Sequence, residues 1–282
     1  MHEHGEHPLS TRAERDWGLY AAHRARLTDA IVEASRLTAA AAAKRPATLC
    51  VLGAGSCNDI DLERLAEAFA EIHLVDIDGT ALARAVARQP EAVRPRLRRH
   101  AVDLSGLPAR RLGRWKRVVP SGADVESAAA AALDAILTKL GGPYDVVAST
   151  CVLTQMAFAL REALGERHPA LETARFGLMR THLSTLVGLT APGGVALFAS
   201  DAVSSTTYAL EEPPPGQTMT DVLHAVVSSG RGYFAANPEI VAGLMAEVGT
   251  PELLDPWLWT GPLDRTYLVY ALRLRLPIDA EG

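Results

Sequence analysis

The sequence predicts an α/β protein: a three-layer sandwich around a mostly parallel, seven-stranded sheet with an antiparallel C-terminal strand. Three observations predict it. Apolar, strand-like runs alternate with helical segments through the first half of the chain. A glycine pair directly follows the first of these runs. The chain also closes on two strand-like runs with no helix between them. At 282 residues, with 48% hydrophobic and 22% charged residues, the chain can bury one large core without disulfides or a structural metal.

Taken in order, Ser10–Ala43 reads as a helix. Trp17, Tyr20, Leu27, Ile31 and Leu37 recur at roughly helical spacing, Thr11 and Glu14 are spaced as a capping box, and Pro46 ends the segment. Thr48–Leu52 is a short strand, apolar enough to be buried on both faces. A helix over Asp59–Ala70, a strand over Ile72–Val75 ending in Asp76, a helix over Ala81–Gln89 and a short strand ending at Asp103 complete a β-α-β-α-β alternation with right-handed crossovers. Gly106–Pro120 is polar, basic and glycine-punctuated, and is expected to be a loop. Ala123–Leu140 is helical, with Gly141 and Gly142 as its stop, and YDVVAST supplies a fourth strand. A helix over Leu171–Leu189 stops at Pro192-Gly193-Gly194, and a fifth strand covers Val195–Ser200. EEPPPGQ is a loop, Asp221–Ser228 and Pro238–Val248 are helices, and WLWTGP and RTYLVYALRLRL are the two closing strands. No internal repeat is present. Residues 1–44 form a helical extension, 45–276 the sheet domain, and 205–250 a segment placed to cover a substrate.

Composition narrows the function. A formal net charge of -5 disfavours general nucleic-acid binding, which draws on basic domains. Cys50, Cys57 and Cys151 are odd in number and far apart, with neither metal-ligand nor disulfide spacing, so a reducing compartment, the cytoplasm, is expected. The first residues lack the apolar core of a signal peptide, and no run is long enough to span a membrane. His2, His4 and His7 read as a polar terminus rather than a metal site. No metal is expected, and the oligomeric state is left open.

The chemistry concentrates at TLCVLGAGSCNDIDL. A buried strand runs into Gly53-Ala54-Gly55 and then into a helix. Glycine lets the chain turn sharply and a ligand approach the backbone, and free N–H groups beyond the turn can hold polar ligand atoms. Asp76 ends the next strand, 23 residues beyond Gly53, where a carboxylate can accept both hydroxyls of a ribose. Asp103 ends the third strand, within reach of an adenine amino group. All three lie at the carboxyl edge of the sheet, where open α/β sheets bind ligands. A dinucleotide fingerprint requires a small residue at the position of Asn58 and a sheet that continues parallel; both argue against it.

On these residues (Gly53, Gly55, Asp76, Asp103, Asp145 opening the fourth strand, and the antiparallel tail) the chain resembles the class I, Rossmann-like methyltransferases over roughly residues 45–276. The resemblance implies S-adenosylmethionine as cofactor and S-adenosylhomocysteine as product. It implies a cofactor site of Gly53, Ala54, Gly55, Asn58, Asp59, Asp76, Ile77, Asp103 and Leu104, with Ser149, Thr150 and Cys151 beside the transferring methyl and Gln155 one turn on. Two departures stand out. Val51 occupies the place of a usual acid, and Cys57 that of a third glycine. Asn58 or Asp59 is then expected to hold the cofactor's amino group.

A small-molecule acceptor is expected, and the sequence does not identify it. Asp201, directly after the fifth strand, is the one group offered as a substrate-orienting or basic residue, against a plain strand-end cap. Cys151 lacks a basic partner for nucleophilic work, and His182 on a long helix reads as structural. Tyr208, His224, Tyr233 and Phe234 flank the acceptor side, where aromatics equally serve as core. The N-terminal helix with Trp17 and Tyr20 either folds over the cleft or packs on the domain. Nine basic residues between Arg94 and Arg117 read first as a solvated face and second as an anion- or RNA-attracting one. Rival readings are a non-catalytic cofactor binder and a transferase of the cofactor's aminopropyl or aminobutyl arm.

Overall fold

The computed structural model describes residues 17–261 and 264–278; Thr11, Glu14 and the three N-terminal histidines lie outside them. A 3-10 turn over Trp17–Tyr20 leads into α1 (Ala21–Arg36) and α2 (Ala39–Ala42). Then come β1 (Ala47–Leu52), α3 (Leu62–Ala68), β2 (Phe69–Asp76), α4 (Gly79–Ala87) and β3 (Leu97–Ala101). The middle of the chain carries α5 (Ala109–Arg117), α6 (Gly122–Leu140), β4 (Tyr144–Thr150), α7 (Val152–Leu164), α8 (Leu171–Gly188) and β5 (Thr190–Ser204). The chain closes with α9 (Met219–Ser228), α10 (Pro238–Met245), β6 (Glu252–Gly261) and β7 (Arg265–Arg275).

The strands form one sheet in the order β3-β2-β1-β4-β5-β7-β6. β1 to β5 pair in parallel, and β7 runs antiparallel between β5 and β6. The order reverses between β1 and β4, which opens a crevice at their carboxyl ends, the usual ligand position in such sheets. Alternation along the strands feeds two cores. Cys50, Val147, Phe198 and Tyr270 point to the side of α6 and α8. Val51, Leu74, Ala148 and Leu197 point to the side of α1 and α3. Burying each large apolar side chain contributes about 1.5–3 kcal/mol, so both faces hold the sheet.

Local chemistry explains the starts of the helices. The Asp61 carboxylate accepts from the Glu63 and Arg64 N–H groups and begins α3, while Asp78 does the same for α4 with Thr80 and Ala81. Asp78 is therefore a half-buried cap. Capping boxes at Ser121/Asp124 and Thr218/Asp221 begin α6 and α9. At the opposite edge of the sheet from the crevice, Asp145 accepts from both terminal nitrogens of Arg45 and from the N–H and hydroxyl of Thr48. Burial alone would raise this carboxyl; the Arg45 and Thr48 hydrogen bonds outweigh it and leave it lowered. Asp145 thus pins β4 to β1 and is remote from the crevice.

The structure corrects several sequence expectations. Gly106–Pro120 is not a loop: it contains α5, whose Trp115 is buried and whose Trp115 carbonyl accepts from His168 Nε2 at 3.0 Å. α7 was not foreseen at all. α3 ends at Ala68, because Phe69 already pairs with Ala47 in the sheet. α8 stops at Gly188, and Pro192-Gly193-Gly194 lies inside the long β5.

Candidate functional site

The glycine loop leaves β1 through Gly53 at φ +84° and Gly55 at φ +47°, a region that favours glycine. A Cβ on Gly53 would sit 2.3 Å from the Val152 Cβ at the start of α7, whereas one on Gly55 would meet nothing closer than Asp76 Oδ2 at 3.8 Å. Gly53 therefore serves packing, and Gly55 faces open space. The loop is anchored by N–H donation from Gly53 and Ala54 to the Val75 carbonyl at 2.9 and 3.0 Å. Cys57 packs beneath it at φ +56°, filling the place where a third glycine was expected.

Asp76 lies beside this loop. Its Oδ2 accepts from Gly55 N–H and its Oδ1 from Asp78 N–H, both at 2.9 Å. Burial raises this carboxyl, opposed by those backbone donors. Ile77, next in the chain, is 69% exposed, an apolar side chain at the crevice rim with its face uncovered. Asp103 Oδ1 accepts from the Ser105 N–H and hydroxyl at 2.9 and 2.6 Å, an Asx turn beyond β3. Leu104 beside it is buried.

The β4 residues are more committed. Ser149 is fully buried, its hydroxyl 2.7 Å from His182 Nε2 on α8. The Thr150 hydroxyl donates to the Gly53 carbonyl at 3.1 Å and so ties β4 to the loop. Cys151 turns the chain at φ +50° into α7 and donates its N–H to the Ala199 carbonyl at 2.9 Å. Burial pushes its thiol well above the ordinary range, with Asp201 and Asp59 adding to the effect, so it is no nucleophile. The Gln155 side-chain amide donates back to the Cys151 carbonyl at 3.2 Å.

Beyond Cys57 the loop carries the part-buried Asp59, which feels the charge of the buried Asp201 on β5. Asp201 accepts at Oδ1 from the Thr154 hydroxyl at 2.6 Å, and burial pushes its carboxyl up. Asp59 is pushed up to about 7 by burial; Arg24 opposes this and Asp201 adds to it. Asp59 Oδ1 is enclosed and has no hydrogen-bond partner. Tyr233, which hydrogen-bonds Ser204 and feels the Asp201 charge, stands edge-on to Phe158 at 5.5 Å and adds an aromatic wall. Tyr208 packs on the core, His224 is exposed, and the Phe234 side chain lies outside the described residues.

The N-terminal helix packs Leu27, Ile31 and Ala34 into the domain core, and its first turns also reach the glycine loop. Arg24 Nη1 donates to the Asn58 carbonyl at 3.0 Å, and the Thr28 hydroxyl accepts from Asp61 N–H at 3.0 Å. The Arg24 guanidinium also lies 3.6 Å from the centre of the Trp17 ring. His23, on the same helix, is fully buried, with Nε2 at 3.6 Å from Asp59 Oδ1. Sequence reasoning missed His23, Arg24 and Thr154. The first two sit in a helix whose pattern marks only a buried stripe, and Thr154 belongs to the unforeseen α7.

Of the nine basic residues, Arg94, Arg96 and Arg98 are spent on backbone carbonyls of residues 66–97, and Arg98 also pairs with Glu71 at 2.7 Å. They are structural, which leaves the exposed Arg99 on β3 and the five basic residues of α5 as the basic surface. His182 is buried between α8 and the sheet, away from the crevice. Among the described residues no group of three or more His, Cys, Asp or Glu could hold a metal ion. No helix among them is long and apolar enough to cross a membrane.

No protein-family model matches the sequence, and no curated protein matches it. Solved structures do show likenesses. One is an N-methyltransferase, NodS, from Bradyrhizobium japonicum WM9 in complex with S-adenosylhomocysteine: 15% identity, 95% of this chain and 98% of that chain, TM-score 0.42. Another is a magnesium protoporphyrin IX methyltransferase from Synechocystis PCC 6803 with bound S-adenosylhomocysteine: 13% identity, 95% and 88%, TM-score 0.43. A third is an O-methyltransferase family protein from Burkholderia thailandensis: 15% identity, 95% and 63%, TM-score 0.40. At such values the likenesses carry no argument about chemistry, and the assignment of fold rests on strand order and direction. A single seven-stranded sheet ordered β3-β2-β1-β4-β5-β7-β6, with only β7 antiparallel to its neighbours, is the class I methyltransferase fold.

Proposed function

We propose that the protein binds S-adenosylmethionine and transfers its methyl group to a small-molecule acceptor. The observation that carries the reading is Asp59: a part-buried carboxylate of the glycine loop, beside Arg24, with one oxygen enclosed and unpartnered. A buried carboxylate without a partner is costly, and a ligand ending in an ammonium and a carboxylate would answer both side chains. The acid missing at Val51 is thereby replaced from the far side of the loop. Asp76 and the exposed Ile77 fit a ribose and the flat face of a base, and Asp103 and Leu104 fit the base edge. Ser149 contributes its backbone position rather than its hydroxyl, while Thr150 and Cys151 shape the turn beside the reacting centre.

When bound, the cofactor supplies a methyl group on positive sulfur, so the protein's work is positioning and exclusion of water. Asp201 is placed to orient an acceptor and to take a proton from it, its carboxyl raised by burial as a base requires. Residues 205–250, with Tyr233, form the acceptor side, and residues 17–44 close the cofactor side. Three buried free cysteines suit a cytoplasmic setting. The pairing of Asp59 with Asp201 also favours a second reading: an acidic pocket for an amine acceptor of the cofactor's aminopropyl arm. That reaction would release methylthioadenosine in place of S-adenosylhomocysteine.

The test is calorimetric titration with S-adenosylhomocysteine, and with NAD in parallel. Binding of the former that falls at least tenfold in Asp76→Ala supports the reading. Binding of NAD instead, or of neither, refutes it. Product analysis against an acceptor panel then separates methyl from aminopropyl transfer.

A further inference from the structure

We propose that His23, its tautomer fixed by Trp257, is the positioning residue for Asp59 and links binding of the cofactor's amino-acid end to release of a proton. The inference rests on the reading of Asp59 given above.

Trp257 on β6 donates its Nε1–H to His23 Nδ1 at 3.1 Å. An indole can only donate, so Nδ1 is the acceptor and the ring proton sits on Nε2. Stacking on Trp259, with centroids 4.6 Å apart and planes at 22°, fixes the ring plane. The Nε2–H then faces Asp59 Oδ1 at 3.6 Å, just beyond hydrogen-bond length. Both atoms are enclosed, and neither has another hydrogen-bond partner. Two aromatic side chains of β6 thus aim one N–H at one carboxylate oxygen of the glycine loop.

The charges around Asp59 decide what this does. His23 and Arg24 face it from α1, Asp201 from β5, and Cys57 and Cys151 from the loop and the end of β4. Burial, with Arg24 adding, lowers His23 to about 4, so it stays neutral at ordinary pH and offers a dipole, not a cation. Arg24 is held beside Asp59 by Nη1 donation to the Asn58 carbonyl and by the Trp17 ring. The second acid, Asp201, opposes ionisation of Asp59. Without a ligand the cheapest state is a carboxyl shared between protonated and ionised forms near neutrality. An arriving ammonium favours the ionised form, and the proton leaves to solvent. The His23 N–H then stabilises the carboxylate in the orientation that receives the ligand.

The experiment has a ligand-free arm and a ligand arm. In the free protein, the imidazole 15N shifts of His23 should report the Nε2–H tautomer, unchanged from pH 5.5 to 8; an Nδ1–H tautomer overturns the proposal whatever the cofactor does. In calorimetry with S-adenosylhomocysteine, a group half protonated near pH 7 gives release of about half a proton at pH 7 and affinity about tenfold tighter at pH 8 than at pH 6. His23→Phe keeps a ring on Trp259 and removes the N–H. Losing the N–H that closes on the ionised carboxylate when the ligand binds shifts the profile by about one pH unit, so affinity drops about tenfold at pH 6 and only about twofold at pH 8. Trp257→Phe should mix the tautomers and fall between, and His23→Gln, which retains a donor, should recover most of the loss. An equal loss at every pH makes His23 a packing residue, and pH-independent binding by the unaltered protein removes the linkage; both leave the cofactor reading intact. No binding of the nucleoside at any pH takes down the cofactor reading and this inference with it.

Discussion

Gly53 offers the sharpest test of how the loop is built, because two separable costs meet there. Replacing it with Ala puts an L-residue at φ +84°, which costs about 1–2 kcal/mol. The new Cβ also lands 2.3 Å from the Val152 Cβ and 2.9 Å from both Val152 methyls. Such overpacking adds about 1–3 kcal/mol, since Val152 is fixed by the Cys151 turn and cannot rotate its Cβ away. Gly53→Ala should therefore lose about 2–5 kcal/mol in urea unfolding, near 2 °C in Tm per kcal/mol for a chain of this length. Val152→Gly deletes the obstructing atoms at about 1 kcal/mol of helix propensity. In that background Gly53→Ala should cost only the backbone part, giving a coupling of at least about 1 kcal/mol in the double-mutant cycle. A Gly53→Ala loss under 0.5 kcal/mol, or one that Val152→Gly leaves unchanged, would refute the account of β1 and α7 locked through these two residues.

Two further outcomes follow from burial. His182 is lowered to about 4 by burial, against 6.5 when unfolded, so the unfolded chain binds the extra proton between those values. Its contribution is complete above pH 6.5 and is lost as pH falls toward 4, by up to about 3 kcal/mol. Urea unfolding of the native protein and His182→Gln at pH 7.5 and pH 5 should show the variant less acid-sensitive; parallel slopes would count against it. All three cysteines are buried and their thiols are pushed up, that of Cys57 to about 12, so iodoacetamide at pH 8 should label none in the folded protein and three in urea. Rapid labelling of Cys151 in the folded state would mean that the turn before α7 is open to solvent.

The fold was legible where neighbours in sequence carry the information. β1 to β3 and their helices announce themselves by apolar runs, by Gly53 and Gly55, and by acids at strand ends. α7 is encoded locally too, since Leu153, Ala157, Leu160 and Leu164 recur at helical spacing. α5 is not. Its nine residues hold five basic side chains and two large apolar ones, and what stabilises it is burial of Trp115 and a hydrogen bond from His168, 53 residues away. The site divides the same way. The loop and Asp76 follow from local pattern, while the His23–Trp257 contact joins residues 234 apart, and no local pattern encodes such a meeting. Asp145 opens β4 as expected, while its pairing with Arg45, 100 residues away, has no local signal.

The order of the last two strands has a consequence for how the chain is made. β7 is made after β6, yet it lies between β5 and β6 in the sheet, and β6 occupies the edge. Until β7 is complete, β5 presents an unpaired edge of fifteen residues, and β6 has no neighbour to pair with. Long unpaired strand edges are templates for aggregation. Trp257 and Trp259 must wait for the same event before they can reach His23 and the Leu19 carbonyl. The nascent protein therefore carries a finished glycine loop and an unfinished sheet, and its most hazardous interval runs from the emergence of β5 to that of β7.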